Sequence, residues 1–243
     1  MGTSQDTSSH WRRLLKLDEP LPKDFEKHLA GFGSSLRPRI HGYLGKVAKR
    51  DFGLKGIGIE NLPDRAPFII ASNHSSSLDF PAIYLSLPKE LRKDVVVMYT
   101  SFFDRIFPIK MAIKALIDSF SVELDGNFWQ ALSMAARVLK YGKIVYIAPE
   151  GQRSWDGKLL PFKVGVGALS VETGIPVVPA YVKGAHEALP RGTVIPKKHP
   201  ISVSFGKLID PSSFAEKKSE RPAYEVYRDF TQILRKEIVG LSR

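Results

Sequence analysis

The chain has 243 residues, 43% of them hydrophobic, with 36 Lys and Arg against 25 Asp and Glu, a formal net charge of +11. That length and apolar content fit one good-sized domain with a substantial core and exclude a disordered chain. Zero cysteines exclude a disulfide framework, a thiolate zinc site and a cysteine nucleophile. The basic excess predicts a polyanionic partner: nucleic acid, an anionic membrane surface, or an acidic carrier protein and phosphorylated cofactor, among which composition does not choose. No zinc-finger or RNP-type motif occurs, so no nucleic acid is expected.

Residues 1–10 are polar and rich in Ser and Thr, and read as a disordered tail. Residues 11–50 read as a small basic N-terminal amphipathic helical segment, interrupted near Pro20 and Pro22 and near Gly31 and Gly33. Two roles fit it: a helical cap on the main core, or a foot on an anionic membrane. No signal-peptide pattern occurs, and no run approaches the ~18–20 apolar residues of a spanning helix. The chain therefore reads as soluble or peripherally bound, and the location expected for it is peripheral, on the cytoplasmic face of a membrane.

From residue 51 to 243, short apolar runs alternate with helical periodicity. Strands are predicted at 54–59, 67–72, 95–99, 119–124, 143–148, 177–183 and 201–205. The stretch 101–120 places Phe102, Ile106, Ile109, Ile113 and Phe120 at helical spacing around Pro108. Such a face either joins the core or dips into a bilayer surface. A helix at 127–141 puts Phe128, Ala131, Leu132, Ala135, Val138 and Leu139 on one face, with Asn127 as cap and Gly142 as stop. Further helices are predicted at 166–173 and 223–239, the latter with Tyr227, Phe230, Ile233, Leu234 and Ile238 on one stripe and Gly240 just past its end. This alternation predicts an α/β domain over 51–243, a mixed, largely parallel sheet flanked by helices.

The run Ala71-Ser72-Asn73-His74-Ser75-Ser76-Ser77-Leu78-Asp79 carries the chemistry. Five positions on one α-helix would turn His74 and Asp79 to different faces. They meet only if His74 lies in the turn leaving a strand and Asp79 in the first turn of the next helix. There the serines serve as caps, Pro81 fits an early helical position, and the helix dipole favours the carboxylate. Asp79 then holds one imidazole tautomer. Two groups are too few for a metal, so no metal site is expected.

A second constellation follows the apolar run ending at Ala148: Pro149-Glu150-Gly151-Gln152-Arg153-Ser154. Carboxyl ends of strands face the ligand crevice in open α/β sheets. Gly151 permits close backbone approach, Arg153 offers a fork for phosphate or carboxylate, and Glu150 either pairs with that arginine or accepts a hydroxyl. Lys163, in Phe162-Lys163-Val164-Gly165, is placed for an anion.

Together these pieces resemble the glycerolipid acyltransferase family, whose best-known members are lysophosphatidate acyltransferases of the PlsC type. Asn73 to Asp79 looks like its first motif, Glu150-Gly151-Gln152-Arg153-Ser154 its third, and Gly174-Ile175-Pro176-Val177-Val178-Pro179 its fourth. The likeness spans about residues 50 to 210. In the second motif, alignment by apolar residues puts Leu124 where the family carries an arginine for the acceptor phosphate, and Gln152 stands where threonine is common.

The resemblance implies transfer of a fatty acyl group from acyl-CoA or acyl carrier protein to a lysolipid hydroxyl, without a resident cofactor. His74 would be general base and Asp79 its partner. Asn73, Glu150, Gly151, Arg153 and Lys163 would contact substrate. Backbone N–H groups around the turns holding His74 or Gly151 would take the oxyanion. Two rivals are a thioesterase or lipid hydrolase using the same base on water, and a non-catalytic lipid-binding module. An acylated serine among Ser75, Ser76 and Ser77 is disfavoured, for no Gly-x-Ser-x-Gly elbow occurs.

Overall fold

A central strand, β2 (Ile69–Ser72), organises the molecule, with β5 (Ile144–Ile147) on one side and β6 (Val177–Lys183) on the other, both parallel to it. The computed structural model describes residues 13–23, 37–100, 118–122 and 128–243. Its sheet has seven strands in the order β1-β7-β6-β2-β5-β3-β4, adding β1 (Lys55–Ile57), β3 (Val95–Thr100), β4 (Asp118–Val122) and β7 (Ser202–Phe205). All neighbouring pairs run parallel except β6 with β7. The sheet is thus mixed and largely parallel, as predicted, and all seven predicted strands form.

The central strands are buried on both faces, which accounts for their unbroken apolar runs. Ile69 and Ala71 of β2 and Val145 and Ile147 of β5 point into one half of the core. Phe68 and Ile70, with Ile144 and Tyr146, point into the other. The first half is covered by α4 (Phe128–Lys140), α5 (Gly165–Thr173), α7 (Ser212–Lys217) and α8 (Ala223–Gly240). The second half is covered by α2 (Asp79–Ser86), α3 (Lys89–Arg92) and α6 (Ala185–Ala188). Helix α1 (Arg37–Phe52) lies over α2, with the His41 ring edge-on to Tyr84 at 5.0 Å between centroids.

Several expectations need correction. Ile233 is exposed, while Ala223 and Val226 join Tyr227, Phe230, Leu234 and Ile238 in the buried stripe of α8. The stripe's centre runs along the 3–4 spacing 223, 226/227, 230, 234, 238, which leaves 233 on the rim. Helix α8 includes Gly240 rather than stopping before it. Of the basic N-terminal stretch, the described residues 13–23 behave as a cap. Leu15, Leu17 and Leu21 are buried in the main core, and Lys140 and Arg137 donate to the carbonyls of Leu17 and Pro20. The tail at 1–10, the face at 101–117, Asn127 and Leu124 lie outside the described residues.

Candidate active site

His74 lies two residues beyond the end of β2, and Asp79 is the first residue of α2. The chain therefore turns between them, and Asp79 Oδ2 lies 3.0 Å from His74 Nδ1. The same oxygen accepts the backbone N–H groups of Ser75 at 2.7 Å and Ser76 at 2.8 Å. Asp79 is fully buried at the helix start, where both the dipole and these donors favour a carboxylate. With Oδ2 an acceptor, Nδ1 carries the proton and Nε2 is left as the basic nitrogen. The His74 side chain keeps 27% of its surface exposed.

The serines take unequal shares in this turn. Ser76 Oγ accepts the N–H of Leu78 and donates to the carbonyl of Leu189. Ser77 Oγ accepts from Arg153 Nη1 at 2.6 Å, and buried Ser75 directs its hydroxyl towards Asp79. The helix-preceding residue itself, Leu78, supplies no side-chain cap. Pro81 occupies the third helical position, as expected of an early-turn proline.

The second constellation leaves β5 beside the first. Ala71 of β2 is in register with Ile147 of β5, so His74 and Glu150 each lie three residues further along neighbouring parallel strands. Glu150 Oε1 accepts the backbone N–H of His74 at 2.6 Å, and Oε2 that of Leu160 at 2.7 Å. Ser154 N–H donates to the His74 carbonyl at 2.8 Å. The turn after β5 thus grips the His74 backbone from both sides. Burial pushes the Glu150 carboxyl above its ordinary range, against the pull of the Leu160 and His74 N–H groups. No Glu150–Arg153 pair forms: Arg153 Nη1 goes to Ser77 Oγ, while the Glu150 oxygens take backbone N–H groups.

Asn73 is likewise spent. Its amide accepts from the Val182 N–H at 2.7 Å and donates to the Val182 carbonyl at 3.0 Å, extending the β2–β6 ladder with a side chain. Gly151 has φ +72°, and a Cβ there would sit 2.8 Å from Lys163 Nζ. The left-handed backbone favours glycine here, and its missing side chain lets Lys163 lie across the turn. Lys163 N–H donates to the Pro149 carbonyl, which ties its loop to the same place. His74, Asp79, Asn73, Glu150, Gly151, Arg153 and Lys163 are therefore gathered at the carboxyl ends of β2 and β5.

A small depression opens beside His74, lined by Asn73, Ser75, Glu150, Gly157, Lys158, Leu159 and Tyr181. Lys158, Leu159 and Tyr181 are not among the site residues the sequence predicts, Lys158 reading only as part of a turn and Tyr181 as part of a strand; the strand-end rule applied to β6 reaches Tyr181. His186 is also close, with Nδ1 3.4 Å from the Ser75 carbonyl and its ring against Gly157. The expectation of backbone donors for the oxyanion is narrowed. The N–H groups of His74, Ser75 and Ser76 go to carboxylates, that of Gly151 to the Ala148 carbonyl and that of Ser154 to His74. These backbone donors are not available to an oxyanion.

A family model described as Acyltransferase matches residues 54–183. A chloroplastic 1-acyl-sn-glycerol-3-phosphate acyltransferase of Brassica napus is 31% identical over 140 residues, 56% of this chain and 39% of that protein. One from Arabidopsis thaliana is 32% identical over 140 residues, 56% of this chain and 37% of that protein. The chain thus spans less than half the length of these relatives. The crystal structure of the 1-acyl-sn-glycerophosphate acyltransferase PlsC of Thermotoga maritima superposes with a TM-score of 0.60 over 91% of this chain and 83% of that one. At 23% identity, that likeness speaks for the fold.

Proposed function

This chain belongs to the acyltransferase family, and from that premise we propose that it transfers a fatty acyl group from a thioester to the hydroxyl of a lysolipid, with His74 as general base. The carrying observation is the 3.0 Å His74–Asp79 contact with Asp79 Oδ2 pinned by two further donors. An alcohol attacks a thioester well only if a base takes its proton during attack. Nε2 accepts that proton while the oxygen bonds to the thioester carbon. Asp79 stabilises the imidazolium that forms. Collapse of the tetrahedral intermediate breaks the carbon–sulfur bond, and the imidazolium proton goes to the departing thiolate.

Ser75 and Ser76 are engaged elsewhere, so the acceptor itself is the nucleophile and no acyl-enzyme forms. With the N–H groups of His74, Ser75, Ser76 and Gly151 occupied, the oxyanion falls to the remaining turn N–H groups or to side chains rimming the depression. Among the side chains, Tyr181 and Lys158 are the candidates. Partial burial, with the carboxylates Glu187, Glu150 and Asp79 nearby, raises the Tyr181 phenol, which keeps it a donor.

The acceptor of first choice is 1-acyl-glycerol-3-phosphate, on the names of the relatives and on the cations Arg153 and Lys163 beside the base. The donor is acyl-CoA or acyl carrier protein, either of which suits a chain of +11. The working location is an anionic membrane surface; among the described residues no helix is long and apolar enough to cross a membrane. Labelled acyl thioester incubated with and without a lysolipid panel tests the reading. A new diacyl lipid is expected, and none from His74→Ala. Free acid alone would mean a hydrolase, and no turnover with intact lipid binding would mean a binding module.

A further inference from the structure

On the reading that the acceptor is a lysolipid held in a bilayer, we infer that the loop after α6, with Trp155, is a membrane-docking edge built around the mouth of the site. The residues 189–200 read Leu-Pro-Arg-Gly-Thr-Val-Ile-Pro-Lys-Lys-His-Pro, with three fixed cations and no acid. At its tip Val194 is 88% exposed and Ile195 78%. Trp155, 68% exposed, stands beside the base of the same loop, its ring 3.6 Å from where a Cβ on Gly192 would sit. The Arg191 guanidinium lies over that ring at 4.2 Å from the centroid.

This edge is fixed to the catalytic turns. Arg191 Nη1 donates to the Arg153 carbonyl at 2.6 Å, and the Leu189 carbonyl accepts from Ser76 Oγ at 2.8 Å. Lys197 N–H returns to the Ala188 carbonyl at 2.7 Å, closing the loop's base. Pro190, Pro196 and Pro200 restrict it further. An apolar tip of this kind would have to find a fitted pocket on a protein partner. A bilayer accepts it without one, and indole settles at the headgroup level.

The charges agree with an anionic surface. Arg191, Lys197 and Lys198 flank the tip, and Lys198 keeps 81% of its side chain exposed although it pairs with Asp51 at 3.3 Å. Acidic Asp156 stands next to Trp155 and is met by Lys158 at 3.5 Å. Docking by this edge brings the lipid phosphates to the residues that flank His74. An acceptor then enters from the headgroup layer without leaving the membrane.

The full chain is to be sedimented with vesicles of phosphatidylcholine plus phosphatidylglycerol, and with phosphatidylcholine alone. Val194→Asp with Ile195→Asp should weaken partition to the anionic vesicles at least tenfold. Lys197→Ala should weaken it about fivefold, the worth of one cation near such a surface. Brominated lipid should quench part of the emission, and Trp155→Phe should remove that part. Unchanged vesicle binding by the double variant, or quenching that survives Trp155→Phe, overturns the docking edge. So does a double variant that keeps its vesicles but loses use of an acyl carrier protein donor, which would assign the loop to that carrier. Wild-type turnover of monodisperse lysolipid is measured apart; its failure would sink the acyltransferase reading and leave the docking result standing.

Discussion

Replacing Asp79 by asparagine should separate the charge of the base's partner from its geometry. Asp79 Oδ2 gathers the Nδ1–H of His74 and the N–H groups of Ser75 and Ser76, whereas Oδ1 meets only the Ser75 hydroxyl at 3.4 Å. An asparagine here must turn its carbonyl towards the three donors, since its NH₂ would otherwise face two backbone N–H groups. The amide nitrogen then falls near Ser75 Oγ, where it can donate. His74 therefore keeps its tautomer, and the loss is that of a full charge beside the imidazolium. At ~4 Å and an effective dielectric of about 20, that interaction is about 4 kcal/mol, or roughly 10³ in kcat. Asp79→Ala should lose more, about 10⁴ or beyond, because ring and backbone donors are then left without an acceptor. Steady-state kinetics with a thioester donor, beside near-UV circular dichroism to confirm the fold, measures both. Equal losses for Asn and Ala, or near-normal kcat for Asn, would refute the reasoning.

Glu150→Gln keeps one acceptor and turns an amide NH₂ on the other N–H, so stability should fall by about 1–3 kcal/mol and kcat should drop with it. The pH dependence has a defined sign. Burial raises the folded Glu150 carboxyl above the ordinary 4.5, so the wild type's stability relative to Gln is greatest below 4.5 and declines as pH rises through the folded value. Urea unfolding across pH checks this, and a difference that grows with pH would contradict it. Gly151→Ala should cost ~1–2 kcal/mol for its left-handed backbone and should displace Lys163; an unchanged melting temperature would show that the turn tolerates a side chain. Arg153→Ala should raise KM for an anionic acceptor roughly tenfold with little change for the thioester, and an unaltered acceptor KM would remove Arg153 from headgroup recognition.

Much of this architecture is visible in the one-dimensional pattern. The run predicted at 177–183 is β6 to both ends, and the others differ by one to three residues at their termini. Strands buried on both faces carry dense Val and Ile runs that nothing else in the chain imitates. Helices α3, α6 and α7 have only four to six residues, too few to show a period. At the site, the local pair His74 and Asp79 was legible because five positions leave few ways to meet. The duties of Asn73 and Glu150 were not. Their partners Val182 and His74 are 109 and 76 positions away, and only the sheet register reveals that these polar groups serve backbone.

The shared register of β2 and β5 ties the seating of His74 to correct pairing of the two central strands. Until the central parallel pair zips across its long crossover, His74 has no Glu150 to seat it, and a slip of one residue would leave the two out of step. Regain of turnover during refolding should therefore coincide with protection of the Ile69–Ser72 amides from exchange, and a half-built chain should be inert towards the thioesters around it.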